Sequence, residues 1–295
     1  MLQSQLISIA DLLQSGRLAE AERACRALLA QSPQQATALH LLGLIREQAG
    51  DAAGAEQLLR QSLQIEPHNP KFALNLARLL HRHGRAAEAA ASYRQVLEHA
   101  PLEHAARRAL VVILEQLGQP AAAEAEARTL LQQRPQDADA CSLLAFVLER
   151  QNRFAQAEAA YRQALALDER QLFATQNLGT LLSRLERAEE ALAALDRARA
   201  LGGQGYELAF NRGRTLSLLY RIDEAEREFA TAVALRPSDI DAQVNLAQLR
   251  YMRGDAAFAR DLASAAAAQP DNLPLQSAFA RALKGAGQFD QAERQ

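Results

Sequence analysis

The stretch ATALHLLGLIREQAGDAAGAEQLLRQSLQIEPHN, residues 36–69, decides the fold. Leu39, Leu42 and Gly43 recur at the i, i+3, i+4 spacing that marks one face of an amphipathic helix. Gly50 then interrupts the pattern and supplies the positive φ that a helix C-terminus favours. A second apolar stripe with helical spacing follows. The stretch therefore predicts two helices joined by a tight turn.

The same pattern returns along the chain at a fixed period of 34 residues, with a last step of 33. Alanine occupies one phase of the period: Ala21, Ala55, Ala89, Ala123, Ala157, Ala191, Ala225, Ala259 and Ala292. Glycine precedes it by five residues: Gly16, Gly50, Gly84, Gly118, Gly254 and Gly287. Proline follows it by eleven or twelve: Pro33, Pro67, Pro101, Pro135, Pro237 and Pro270. We expect the alanine of each second helix to approach Gly43, or its equivalent, on the first helix.

Some repeats depart from this pattern. Asn152, Glu186 and Tyr220 replace the glycine of the turn, and of these only asparagine readily adopts positive φ. The run Gly202-Gly203-Gln204-Gly205 predicts either a hinge or an ordinary turn with extra glycine.

The order of small residue, glycine, alanine and proline resembles the tetratricopeptide repeat over the whole chain. The resemblance implies an all-α fold, a right-handed α-solenoid superhelix of stacked helix-turn-helix repeats. We expect a single array over residues 1–295, divided into repeats 2–35, 36–69, 70–103, 104–137, 138–171, 172–205, 206–239 and 240–272 and a partial ninth, 273–295.

Composition excludes several functional classes. The 33 basic and 35 acidic residues give a net charge of −2, which offers no basic face for nucleic acid. Cys25 and Cys141 are too few and too far apart for a disulfide framework, so we expect buried thiols. No apolar run reaches the length of a membrane span, and the N-terminus lacks the pattern of a signal peptide. The sequence therefore predicts a cytoplasmic protein that does not bind nucleic acid or membranes.

Catalytic and metal-binding motifs are absent from the sequence. Five histidines crowd into adjacent repeats, which leaves two interpretations, exposed turn residues or a surface metal site: His68, His81, His83, His99 and His104. We favour the first, and expect no enzyme activity, cofactor or metal within these residues.

The resemblance implies that the first helix of each repeat lines a concave groove in which peptides lie. One position of this helix holds asparagine in four repeats, three of them consecutive: Asn75, Asn177, Asn211 and Asn245. Each amide both donates and accepts hydrogen bonds, so such a ladder can bind the backbone of an extended peptide. The pattern partly resembles the asparagine ladder in the repeat arm of O-linked N-acetylglucosamine transferases, although other residues interrupt it: Leu41, Ala109, Leu143 and Ala278. A purely structural role for these asparagines stays open.

Further residues of the predicted groove combine aromatic and polar side chains, the composition of a recognition surface: Arg78, Phe146, Phe173, Thr180, Phe210, Arg214, Gln248 and Tyr251. A core role for some of the phenylalanines is the alternative. The carboxylate clamp of chaperone-binding relatives is not expected, because only Lys71 and Asn75 fit its pattern.

The sequence thus predicts a non-catalytic scaffold that binds a protein or an extended peptide segment. The alternative is a recruiting arm of a larger bacterial enzyme, namely a glycosyltransferase, a sulfotransferase or an iron- and 2-oxoglutarate-dependent oxygenase. Under this alternative the catalytic domain lies beyond residue 295, and the last repeat, which stops inside its second helix, hints at a missing part; whether such a domain follows stays open.

Overall fold

A computed structural model describes residues 2–253 and single positions between 263 and 280. Within residues 2–253 the chain forms helices joined by short turns and contains no strand. The helices are α1 (Leu2–Gln14), α2 (Leu18–Gln31), α3 (Ala36–Gln48), α4 (Ala52–Ile65), α5 (Pro70–Arg82), α6 (Ala86–His99), α7 (His104–Gln116), α8 (Pro120–Gln133), α9 (Ala138–Arg150), α10 (Phe154–Leu167), α11 (Leu172–Arg184), α12 (Ala188–Ala200), α13 (Tyr206–Leu218), α14 (Ile222–Leu235) and α15 (Ile240–Met252). The odd-numbered helices begin where the predicted repeats begin.

The chain divides into two compact units, Met1–Asn152 and Arg153–Gln295. In the first unit, α1 packs on α2, α3 on α4, α5 on α6 and α7 on α8, and α9 packs on α8. In the second, α11 packs on α12 and α13 on α14, while α10 contacts α11 and α15 contacts α14. First helices of successive repeats also touch within a unit, as α1 and α3, α7 and α9, and α11 and α13 do. The all-α repeat fold predicted from the sequence is confirmed.

The alanine phase lies in the contact between the two helices of a repeat. A methyl group added to Gly43 would lie 3.0 Å from Leu59 Cδ2 and 3.3 Å from the carbonyl oxygen of Ala55. All seven alanines of this phase in the described part of the chain are fully buried: Ala21, Ala55, Ala89, Ala123, Ala157, Ala191 and Ala225. Small side chains at these positions therefore set the separation of the paired helices.

The turn inside each of the first seven repeats keeps one backbone conformation whatever residue occupies it. The four glycines Gly16, Gly50, Gly84 and Gly118 have φ between 67° and 86°. Asn152, Glu186 and Tyr220 have φ of 59°, 60° and 56° at the same phase. The helix C-terminus imposes this geometry, because the backbone N–H of the next residue must bond back into the last turn, as Arg221 does to Leu216 at 2.9 Å.

The glycine run at residues 202–205 forms a packed turn between α12 and α13. Gly202 and Gly205 have φ of 92° and 100°. Gly203 is buried, and a methyl group there would lie 2.7 Å from the carbonyl oxygen of Ala198 and 3.0 Å from Leu172 Cδ1. The run therefore fits the ordinary-turn interpretation, with glycine required for close approach.

Ion pairs connect the second helices of neighbouring repeats. The Glu158 carboxylate accepts hydrogen bonds from Arg187 of the next repeat at 2.7 Å, and it lies 2.9 Å from Arg162 on its own helix. Glu56 and Arg85 repeat the first contact at 2.6 Å in the other unit, three repeats earlier. Arg187 and Arg85 lie directly before the second helices of their repeats, so these contacts tie successive second helices together.

Candidate functional site

Three asparagines of the second unit adopt one common geometry. Asn177, Asn211 and Asn245 occupy equivalent positions on α11, α13 and α15, and each side-chain Nδ2 donates to the backbone carbonyl four residues earlier in its own helix. The acceptors are the carbonyl oxygens of Phe173 at 2.8 Å, Glu207 at 2.9 Å and Asp241 at 2.7 Å. Since an amide has two N–H donors and one carbonyl oxygen, each side chain keeps one N–H and its oxygen for a further partner.

The three asparagines differ in exposure. Asn177 and Asn245 are half-buried, whereas Asn211 is only 7% exposed. Asn211 also accepts a hydrogen bond at its backbone oxygen from the Thr215 hydroxyl at 2.7 Å. The outer members of the series therefore offer more surface to a ligand than the middle one.

Asn75 belongs to a different arrangement in the first unit. Its Nδ2 lies 2.9 Å from Nε2 of His40, and the buried His40 ring stacks on Phe72 with ring centroids 4.3 Å apart. Burial lowers the pKa of His40 to about 4, so the ring is neutral at physiological pH. Sequence reasoning did not identify His40 as a partner of Asn75; the only signal was its place on the first helix of the preceding repeat.

The predicted aromatic residues separate into exposed and packed members. Phe173, near the start of α11, is 46% exposed, and Phe146 on α9 is half-buried. Phe210 lies 5.6 Å from both Tyr206 and Phe229, measured between ring centroids, and it packs against the core of the second unit. Phe210 therefore takes the core role that the sequence left open.

The remaining predicted residues of the second unit are polar. The Thr180 hydroxyl donates to the carbonyl oxygen of Gln176 at 3.0 Å, and Gln248 is exposed. Arg214 is half-buried and donates from Nε to Ser183 Oγ at 3.3 Å. The side chain of Tyr251 lies outside the described residues.

In the first unit, Asn75 and Arg78 line a cavity of about 450 Å³. The other lining residues are Glu47, His81, Arg82 and Tyr93. Arg82 pairs with Glu47, whereas Arg78 is exposed and forms no ion pair with any described residue. Burial raises the pKa of the Tyr93 hydroxyl, so it remains protonated and polar but uncharged.

Metal-ligating side chains do not cluster in the described part of the chain. Among those residues, no three His, Cys, Asp or Glu side chains form a possible metal site. His68 and His99 approach to 3.0 Å between ring nitrogens, on the exposed surface. Both cysteines are buried, and burial raises the pKa of Cys25 to about 12, which keeps it as an unreactive thiol. The arrangement offers hydrogen bonds, charge and aromatic surface.

Family models that match the chain all describe the same repeat. Models described as tetratricopeptide repeat match residues 46–110 and 80–147, residues 10–70 and 219–274, and residues 138–171. No curated protein matches the chain significantly.

In the residues that the structure describes, no helix has the length and apolar character needed to cross a membrane.

Solved structures share the fold at low sequence identity. A tetratricopeptide repeat protein from Parabacteroides merdae is 18% identical, with a TM-score of 0.67 over 84% of this chain and 98% of that one. PilW, a type IV pilus biogenesis factor, is 23% identical, with a TM-score of 0.63 over 70% of this chain and 97% of that one. The Cut9–Hcn1 hetero-tetramer of the APC/C matches with 14% identity and a TM-score of 0.69, over 95% of this chain and 55% of that one.

Proposed function

Because the chain belongs to the tetratricopeptide repeat family, whose fold suits protein–protein interaction, we propose that it is a non-catalytic scaffold that binds an extended protein segment. The segment lies along the first helices α11, α13 and α15, in the groove that the family resemblance implies. The partner is a protein or peptide of the cytoplasm. The net charge of −2 gives no general attraction for a nucleic acid.

The observation that carries the proposal is the common geometry of Asn177, Asn211 and Asn245. Each amide is fixed by a bond to its own helix, so little side-chain entropy is lost when it binds a ligand. Each still holds one free N–H and one oxygen, the complement of a peptide group.

The spacing of packed helices suits an extended ligand. The helices α11 and α13 are in contact; helices in contact lie about 8–10 Å apart, and an extended chain rises about 3.3 Å per residue. Neighbouring asparagines would therefore meet about every third residue of the ligand. Backbone groups are the same in every peptide, so the hydrogen bonds from the asparagines contribute affinity without sequence selectivity. Selectivity for particular ligand side chains comes from residues such as Phe173.

The test is the triple variant Asn177→Ala, Asn211→Ala, Asn245→Ala, compared with wild type in selections from a library of random short peptides. We expect capture of the wild-type-selected peptides to fall at least about tenfold, since several hydrogen bonds worth about 1 kcal/mol each are lost. Alanine is the strongest helix former, so circular dichroism should show unchanged helicity.

The matched control is Gln163→Ala, an exposed residue on the second helix α10. It should retain full capture. Peptides held equally well by the triple variant and by wild type would overturn the ladder as the binding site.

A further inference from the structure

Arg214 on α13 carries a charge that no described carboxylate balances. It is half-buried, and its one side-chain hydrogen bond goes to the neutral Ser183 hydroxyl at 3.3 Å. One of its terminal nitrogens, Nη2, is shielded from solvent and has no hydrogen-bond partner among the described residues. No described carboxylate forms an ion pair with it. A shielded charge without a partner lowers the stability of the folded protein, so the presence of an arginine at this position needs an explanation.

The surroundings of Arg214 increase this cost. Burial lowers the pKa of its guanidinium, and the positive charge of Arg184 lowers it further. The Ser183 hydroxyl oxygen that accepts from Arg214 also lies 2.9 Å from the Thr215 hydroxyl, and both hydroxyls are neutral, so neither supplies a counter-charge. By contrast, the buried Arg212 of the same helix forms ion pairs with Asp196 and Glu228.

The position of Arg214 ties it to the asparagine series. It follows Asn211 by three residues on the same helix, so the two side chains are neighbours on one face. The same Asn-x-x-Arg spacing occurs four repeats earlier, at Asn75 and Arg78, where the arginine is again without an ion pair in the described structure. An unbalanced arginine therefore accompanies a groove asparagine once in each compact unit.

We infer that Arg214 binds an acidic side chain of the extended segment, so that the preferred partner carries an aspartate or glutamate at a fixed place beside the asparagine contacts. The inference rests on the proposed function. The planar guanidinium matches a carboxylate, and a charge-assisted hydrogen bond is stronger than a neutral one. The ligand thus supplies the counter-charge that no described residue provides.

The experiment selects random short peptides on wild type, on Arg214→Gln and on Arg227→Gln. Arg227 is an exposed residue of the second helix α14 without an ion pair in the described structure, and its variant removes the same charge elsewhere. Wild type and Arg227→Gln should enrich Asp or Glu at one position, and Arg214→Gln should not. On wild type, a selected peptide should bind about tenfold more tightly than its Glu→Gln analogue, and on Arg214→Gln the two should bind equally.

A second variant separates ligand binding from a structural role. Arg214→Met removes the unbalanced charge and keeps the length of the side chain, so the urea midpoint of the free protein should stay the same or rise. A marked fall of that midpoint, absence of acid enrichment on wild type, or enrichment that persists on Arg214→Gln would overturn the inference. If the selected peptides lose binding to the triple asparagine variant but show no enrichment of Asp or Glu, this inference alone is overturned. If they bind the triple variant as tightly as wild type, the proposed function is overturned as well.

Discussion

Replacement of Tyr220 by glycine measures the strain held in the turns of the second unit. Tyr220 has φ of 56° and is 81% exposed, so its side chain contributes little packing that a substitution would lose. The left-handed conformation costs an L-residue about 1–2 kcal/mol. Glycine gives the unfolded chain more conformational freedom than tyrosine does, and this offsets about 0.5–1 kcal/mol of the strain that is relieved. We therefore expect Tyr220→Gly to stabilise the protein by about 0.5–1 kcal/mol.

The other turns supply graded comparisons. Glu186→Gly should give a similar gain, because Glu186 is exposed and has φ of 60°. Asn152→Gly should give less, because asparagine tolerates positive φ. Gly118→Ala, at φ of 67°, should destabilise the protein, because it adds a side chain to the same conformation.

The assay is urea unfolding followed by far-ultraviolet circular dichroism. Repeat arrays can unfold in stages, so hydrogen exchange of the amides in α13 and α14 should be recorded as a local measure of stability. A lower urea midpoint and faster local exchange in Tyr220→Gly would refute the reasoning, since the tyrosine would then stabilise the turn by a contact that outweighs its strain.

Two further experiments test the packing and the titration of buried groups. Ala157→Leu should overpack the fully buried alanine position and cost about 1–3 kcal/mol, whereas Leu at the exposed Ala166 of the same helix should be tolerated; equal thermal stability of the two variants would contradict the assigned phase. The pKa of His40 is lowered from 6.5 to about 4 in the folded state, so the unfolded state binds more protons between these values. Stability is therefore full above about pH 6.5 and declines by at most about 3 kcal/mol as the pH falls toward 4, and His40→Gln should flatten this decline in urea titrations across that range.

Local chemistry explains why the fold could be predicted from the sequence. The left-handed turn at Tyr220 follows from its phase alone, although tyrosine disfavours that conformation, because the C-terminus of its own helix needs the same backbone bonds as in the other repeats. The close contact at Gly43 follows from the alanine period in the same way. Both features depend on residues that lie within one repeat.

The candidate site was less predictable because its details depend on contacts between repeats. Asn75 meets His40 of the preceding repeat, and nothing within its own helix indicates this. Phe210 packs on Phe229 of the second helix, so its aromatic character alone could not separate core from surface. The bond from Asn177 to its own helix was open to prediction, because asparagine in a helix interior often bonds to a nearby carbonyl. The unbalanced charge of Arg214 became visible only with its neighbours in place.

The central claim, that an extended segment binds along the asparagine series, is tested most directly by nuclear magnetic resonance of the side-chain amides. A peptide selected on wild type is added to the labelled protein, and the Nδ2 signals of Asn177, Asn211 and Asn245 are followed. These three should shift together and saturate at one peptide concentration, while Asn69, which caps α5, stays unchanged. A peptide that binds and shifts only signals of the second helices, with the three amides unmoved, would contradict the account.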